Sequence, residues 1–234
     1  MISRARIKYL RSLKRRKVRE QDGVLLVEGI NAVEEAVAAG FAREVLLGDD
    51  VAATPRGRAL ADRGVAVERI EARDVEALAM TRGPAGAFAL TENPCRPLDA
   101  ASLPADAIVL LAAGVADPGN LGTLVRTAAA LGAAAVAVAP GTVEPTNPKA
   151  VRASAGALFR LAVGAATADD LADAGFAAWV ADASGEDVGT LRARPALWSV
   201  PRPPLVAGVG LRGMLPTLDG RRRGRGRRVG AGPP

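Results

Sequence analysis

Two residues stand where this chain could do chemistry. Asn120 and Arg126 lie six positions apart, where a polar, glycine-rich loop (residues 114–122, containing Asp117-Pro118-Gly119-Asn120) gives way to a helical pattern. The 234 residues include no histidine and one cysteine, Cys95. That excludes Ser-His and Cys-His triads, an internal disulfide and a cysteine-rich zinc site. Catalysis would therefore fall to other side chains or to a cofactor. A guanidinium is protonated far above neutral pH, so in any proton loss Arg126 would have to be desolvated, act through a phosphate, or mainly stabilise the negative charge that develops.

The flanking elements position this pair. Residues 108–113 form an apolar run that reads as a buried strand. Residues 121–131 read as a helix closed by Gly132, and residues 134–139 as a second buried strand. Strand, loop, helix and strand in this order make a βαβ unit and imply a parallel sheet, whose ligands sit beyond the carboxyl ends of the strands. Leu124, Ala128 and Leu131 recur at helical spacing, with Val125 beside them, and predict the buried stripe of that helix. Arg126 falls off the stripe in the early turns, where a cation gains nothing from the helix dipole. Either a partner holds it there or it is a solvated surface arginine.

A second polar loop, residues 140–148, leads to another helical pattern over residues 149–159. Asn147 can cap it, with Pro148 at its first position. Lys149 and Arg152 lie three apart and share a face, while Ser154 and Gly156 permit close backbone approach. Residues 161–166, 177–181 and 205–209 read as further strands, and residues 168–174 as a helix.

Charge is placed unevenly. Residues 1–19 hold nine Lys/Arg and no acid, and residues 221–228 hold six Arg and no acid. Between them sixteen bases face all 25 acids, so the ends alone make the chain basic. Basic ends suit a polyanion, most often nucleic acid, or serve as solubilising tails. In the first stretch Ile7, Leu10 and Leu13 recur every three residues with bases between them, which predicts a basic amphipathic helix whose Arg11, Lys14, Arg15, Arg16 and Arg19 could track phosphates. Alternating strand and helix patterns then run to residue 91, among them a helix over residues 31–39 capped by Asn31, and predict a small α/β domain. Residues 92–106 carry three prolines without periodicity and read as a linker. No run is apolar enough to span a membrane, and the start is not a signal peptide.

The segments DPGNLGTLVRTAAALGA and NPKAVRASAGALFRLAV closely resemble the first half of the catalytic domain of SpoU (TrmH-like) RNA ribose 2′-O-methyltransferases, of the knotted SPOUT class. RIKYLRSLKRRKVREQDGVLLVEG and MTRGPAGAFAL resemble, more loosely, the substrate-binding domain that precedes it. The resemblance implies an α/β protein, with an RNA-binding domain over residues 1–91 and, after the linker, a parallel-sheet methyltransferase domain of trefoil-knot type over residues 107–218; composition, not the resemblance, predicts a basic disordered tail over residues 219–234. The resemblance implies Arg126 and Asn120 as catalytic residues, with Arg152 and Ser154 facing RNA. It also implies a cytoplasmic enzyme that uses S-adenosyl-L-methionine to methylate a ribose 2′-hydroxyl of rRNA or tRNA, and that works as a homodimer when its C-terminus is intact.

The C-terminus departs from the family's pattern. The family's fifth strand leads into a glycine-rich loop with a glutamate, a later Ser-Leu-Asn and a closing helix, which together complete the knot and bind the cofactor. Here Leu205 and Val206 fit the strand and Gly208 or Gly210 fits the first glycine, so these two are the candidate cofactor contacts. The glutamate position holds Gly210 or Arg212, and nothing matches the rest. Arginine outnumbers lysine 27 to 4 and the last fifteen residues have almost no apolar content, as in a GC-rich gene read out of frame. The alternative is thus a catalytically inactive RNA-binding protein from a truncated or frameshifted methyltransferase gene, with the knot incomplete.

Overall fold

The computed structural model describes residues 2–80, 83, 85–104, 107–187, 205–209 and 227–230. The chain divides into two compact units. One comprises residues 1–95, 118–126 and 144–160, and the other residues 96–117, 127–143 and 161–234.

The first unit begins with two helices, α1 (Arg4–Ser12) and α2 (Arg16–Asp22). The single basic helix expected from the sequence is therefore broken, because Leu13 ends α1 and Arg15 is extended. There follow β1 (Val24–Glu28), α3 (Ile30–Ala38), β2 (Ala42–Gly48), α4 (Asp49–Ala52), α5 (Pro55–Ala61), β3 (Ala66–Ile70), α6 (Ala72–Leu78) and β4 (Ala87–Glu92). The cap of α3 is Gly29, at φ 107°, and Asn31 lies inside the helix. The sheet order is β1-β4-β2-β3, with β4 antiparallel to both neighbours and β2 parallel to β3.

Every residue of β1 is buried, so side chains of both parities must be covered. Val24 and Leu26 pack with Leu46, Phe88 and Leu90 against Leu10 and Leu13, and against Val75 and Leu78 of α6. The other face receives α3, whose Val33 and Ala36 are fully buried. The two leucines of the basic amphipathic pattern thus fasten α1 to the sheet.

The second unit is built on β5 (Ile108–Ala112), β6 (Ala135–Val138), β7 (Ala162–Ala165), β8 (Ala177–Asp187), β9 (Leu205–Val209) and β10 (Arg227–Gly230), in the order β10-β8-β9-β5-β6-β7, all parallel. This is the parallel sheet that the βαβ pattern predicts. Its core alternates along the strands: Val109, Leu111 and Ala113 beside Ala135, Ala137 and Ala139, closed by Leu171 and Phe176. Helix α9 (Ala168–Asp173) is opened by a capping box in which Thr167 and Asp170 bond reciprocally. Two stretches expected to be irregular carry structure. Residues 96–104, within the linker, lie along β7, with Leu98 N–H donating to the Ala165 carbonyl at 3.0 Å. β10 falls within the stretch expected to be a disordered tail.

Helices α7 (Pro118–Ala130) and α8 (Pro148–Ala153) complete the chain. α7 starts three residues before the sequence pattern suggests, since Pro118 suits a first helical position. Leu121, Val125 and Ala128 form its buried stripe, whereas Leu131 lies beyond the helix end and is 78% exposed. α8 is shorter than predicted: Ala155 and Gly156 take positive φ and break the helix before a 3₁₀ turn at Ala157–Phe159.

Leu10→Ala is expected to lower unfolding free energy by about 2–5 kcal/mol, as for other leucines truncated at sites without solvent exposure. Urea denaturation followed by circular dichroism measures this; a change under about 1 kcal/mol would mean α1 is not fastened to the sheet.

Candidate functional site

The candidate site gathers around the approach of α7 to α8, and the residues that make this approach belong to the first unit. A Cβ built on Gly122 would lie 2.3 Å from the Ala150 carbonyl oxygen, 2.6 Å from the Ala153 Cβ and 2.9 Å from the Ser154 nitrogen. No side chain fits that space, so glycine here lets the two backbones touch. Arg126 lies one turn further along the same side of α7, since residues four apart are neighbours on a helix. It is exposed, and among the described residues no carboxylate lies within ion-pairing distance of it. Asn120, expected in the loop, stands instead in the first turn of α7 and is exposed.

The segment entering α8 is tightly held. The Asn147 side chain accepts from Lys149 N–H at 2.9 Å and caps the helix, as predicted. Lys149 and Arg152 are exposed, and among the described residues Arg152 has no acidic partner. Ser154 corrects the sequence reading. It is 1% exposed and its hydroxyl donates to the Val151 carbonyl at 2.7 Å, so it packs the crossing and cannot face RNA in this arrangement.

Arg19 is the second correction. Expected among the phosphate contacts, it is 3% exposed. Its Nη1 donates to the carbonyls of Leu13 and Lys14 at 2.9 and 2.8 Å, and its Nη2 pairs with the Glu144 carboxylate. Burial pulls this guanidinium below its ordinary pKa, while Glu144 acts in the opposite direction. Arg16 reaches the same carboxylate at 3.2 Å and also holds Glu20 at 2.7 Å. Lys14 donates to the Ala79 carbonyl at 2.8 Å. Of the five residues expected in the basic row, Arg11 and Arg15 are exposed and among the described residues have no acidic partner. The signal that separates them is three-dimensional, because Arg19 meets an acid 125 positions away.

Residues that could hold a cofactor lie in the second unit. Gly208 sits in β9 in register with Leu111 of β5, near the carboxyl ends of two parallel strands. The loops after β5 and β6 are joined there, Thr142 Oγ1 donating to the Ala112 carbonyl at 3.0 Å and Val143 N–H to that of Val115 at 2.9 Å. Gly208, paired with Leu111 on one side and Val180 on the other, adds no side chain near the carboxyl ends of these strands, where parallel sheets receive ligands. Gly210 and the residues expected to complete the knot lie outside the described residues. Among the described residues no cluster of potential metal ligands occurs, and no helix is long and apolar enough to cross a membrane.

These parts, a parallel sheet, an arginine-bearing helix and a small α/β unit, have known counterparts. Residues 107–200 match the SpoU rRNA Methylase family, and residues 4–89 match the MRM3-like substrate binding domain. By these matches the chain pairs a SpoU-like domain with an MRM3-like substrate-binding domain. It is 31% identical over 159 residues to the 23S rRNA (guanosine(2553)-2′-O)-methyltransferase RlmP of Bacillus subtilis, which covers 68% of this chain and 60% of that protein. The curated relatives that it matches are longer: the chain spans 60%, 57% and 37% of three of them. Among solved structures, an RNA 2′-O ribose methyltransferase superposes with a TM-score of 0.76 at 28% identity, over 99% of this chain and 88% of the other. The SpoU methyltransferase AviRb from Streptomyces viridochromogenes, in complex with the cofactor AdoMet, gives 0.77 at 25% identity, over 99% and 90%.

Gly122→Ala is expected to destabilise the protein by about 1–3 kcal/mol or more, because the added methyl meets backbone on α8. Arg19→Ala is expected to cost about 1–3 kcal/mol, since it leaves the Leu13 and Lys14 carbonyls without their donor while Glu144 keeps Arg16. Thermal and urea unfolding read both; a neutral Gly122→Ala would mean the helices do not touch there.

Proposed function

We propose that this chain is an RNA ribose 2′-O-methyltransferase acting on rRNA or tRNA, with S-adenosyl-L-methionine as the methyl donor. The observation that carries the reading is the exposed Arg126, held beside the α7–α8 contact within a matched SpoU domain. S-adenosyl-L-methionine supplies a methyl group already activated on a sulfonium. Gly208 and the backbone around it are the residues proposed to hold that cofactor.

The chain's own residues have two tasks. The first is alignment of the ribose 2′-oxygen, which supplies several kcal/mol when the reacting atoms are brought to near contact. Asn120, with an amide at the first turn of α7, is proposed to shape the site for this. The second is to ease loss of the hydroxyl proton. An exposed guanidinium is a poor base. Arg126 is therefore proposed to place positive charge at the 2′-oxygen and favour the developing alkoxide, a type of contact whose removal costs about 10²–10³ in rate. Arg152, exposed on α8, is proposed to hold an RNA phosphate. Pairing of two copies and a cytoplasmic location belong to the same proposal, and sedimentation velocity reads the first.

The test is incorporation of radiolabelled methyl from S-adenosyl-L-methionine into unmodified rRNA and tRNA transcripts, with calorimetry for donor binding. Wild type is expected to leave alkali-resistant dinucleotides, the mark of a 2′-O-methyl group. Arg126→Ala is expected to lower transfer about 100-fold or more with donor affinity unchanged. A folded chain that neither binds the donor nor transfers methyl overturns the reading.

A further inference from the structure

Of the nine bases of the N-terminal stretch, Lys17 lies exposed on α2 and the other eight fall into two sets. Arg6 pairs with Glu44, Lys14 with the Ala79 carbonyl, Arg16 with Glu20 and Glu144, and Arg19 with Glu144. These four are spent on the fold. Arg4, Lys8, Arg11 and Arg15 are exposed and have no acidic partner among the described residues. Arg4, Lys8 and Arg11 recur at i, i+4 and i+7 on α1, so they form one row about 10 Å long. Lys8 and Arg11 also line, with Arg15, a shallow depression that continues the row.

Beside this row, between α1 and α6, runs a groove of about 820 Å³. That is the size of a pocket for a small organic group, commonly about 300–1,000 Å³. It is lined by the apolar Ile2 and Ile7, by Arg4, Lys8 and Arg11 of α1, and by Arg73 and Asp74 of α6. Arg73 is engaged by Glu71 at 3.2 Å. Asp74 is not satisfied: one carboxylate oxygen is buried without a hydrogen-bond partner, and the other is 3.9 Å from Arg73 Nε. Apolar lining, cations on α1 and an underused acceptor on α6 match the three parts of a nucleotide: base face, phosphate and a base-edge amino group.

We infer that the α1–α6 groove is a nucleotide subsite for single-stranded RNA, with the phosphates following Arg4, Lys8, Arg11 and Arg15 and one splayed-out base donating its exocyclic amine to Asp74. The inference rests on the proposed action on RNA and deepens it, by assigning where an unpaired strand lies. A membrane surface fits less well. Tyr9, the aromatic ring of this helix, is pinned by Arg6 at 5.4 Å and by its hydroxyl donating to Asp22 at 3.0 Å, so it is not free to insert. Unpaired RNA suits a concave groove, because its bases can leave the stack.

The test uses the full chain and fluorescent RNA dodecamers of cytidine or uridine, with affinity measured by anisotropy from 50 to 300 mM salt. Four phosphate contacts on a single strand predict a log–log salt slope of about −2.8, falling to about −1.4 in Lys8→Ala/Arg11→Ala, with binding weakened about tenfold or more. Arg63→Ala/Arg69→Ala, which removes two exposed cations elsewhere in the unit, is expected to leave slope and affinity unchanged. The cytidine strand is expected to bind about fivefold or more tighter than uridine, and the isosteric Asp74→Asn to erase that preference with the slope kept.

Three outcomes overturn the inference: an unaltered slope in Lys8→Ala/Arg11→Ala, an equal loss in the Arg63/Arg69 variant, or displacement of RNA by vesicles of anionic lipid. A cytidine preference that survives Asp74→Asn overturns the base-edge contact. These readouts need no methyl transfer. Failure here with transfer intact refutes the groove, and intact binding without transfer refutes only the enzymatic reading.

Discussion

The candidate site depends on a contact that only glycine allows. Gly122 brings the backbone of α7 against the Ala150 carbonyl and the Ser154 amide, at distances no side chain survives. Because a helix is rigid over a few turns, fixing one point of α7 on α8 also fixes the azimuth of its neighbours. Arg126 follows one turn later on that side, and Arg152 projects from the helix that receives the contact. Ser154 closes the joint by turning its hydroxyl inward onto Val151. The small residues are there for contact, and the long cations beside them are left in solvent. Gly156 plays a second part. At φ 90°, with Glu35 side-chain atoms where its Cβ would be, it ends α8 sharply and lets the chain turn beneath α3.

A second constraint acts through charge. A buried ion pair is a poor source of net stability but a strict one for geometry, because either partner alone is costly. Arg19 and Glu144 make such a pair, and Arg19 also satisfies two carbonyls at the end of α1. One guanidinium therefore fixes the end of α1, the start of α2 and the segment that enters α8. This explains why so basic a stretch is not simply a solvated tail. Part of its charge is consumed in holding helices in place, and the part left over lies in a row on the outer side of α1.

The sequence exposes these features unequally. Alternating apolar strands and helices mark the α/β class, and the run from residue 108 to 139 marks a parallel sheet, because periodicity is a local property that burial enforces. Asn147 and Pro148 declare the start of α8 for the same reason. Element ends are harder to read. Pro118 starts α7 earlier than its apolar stripe does, which moves Asn120 from loop to helix, and Leu131 follows the helical spacing but falls past the last turn. Spacing cannot distinguish Arg19 from Arg15 or Ser154 from Arg152. What separates them is a partner far away in the chain, or a neighbouring backbone that periodicity does not encode.

The same contrast bears on how a chain without histidine could catalyse proton loss. A general base needs a pKa near the working pH, and the usual residue for that is absent throughout. A solvent-facing arginine does not replace it as a base, but it does not need to. When the leaving group is already activated, the barrier lies in bringing two groups into line and bearing a negative charge for a moment. Fixed backbone contacts supply the first and a cation held beside them supplies the second. On this view the rigidity of the Gly122 contact is itself part of the chemistry. In the proposed reaction a guanidinium favours the alkoxide best when the backbone that carries it is set before the charge appears, and the close approach of α7 to α8 would set the backbone of Arg126.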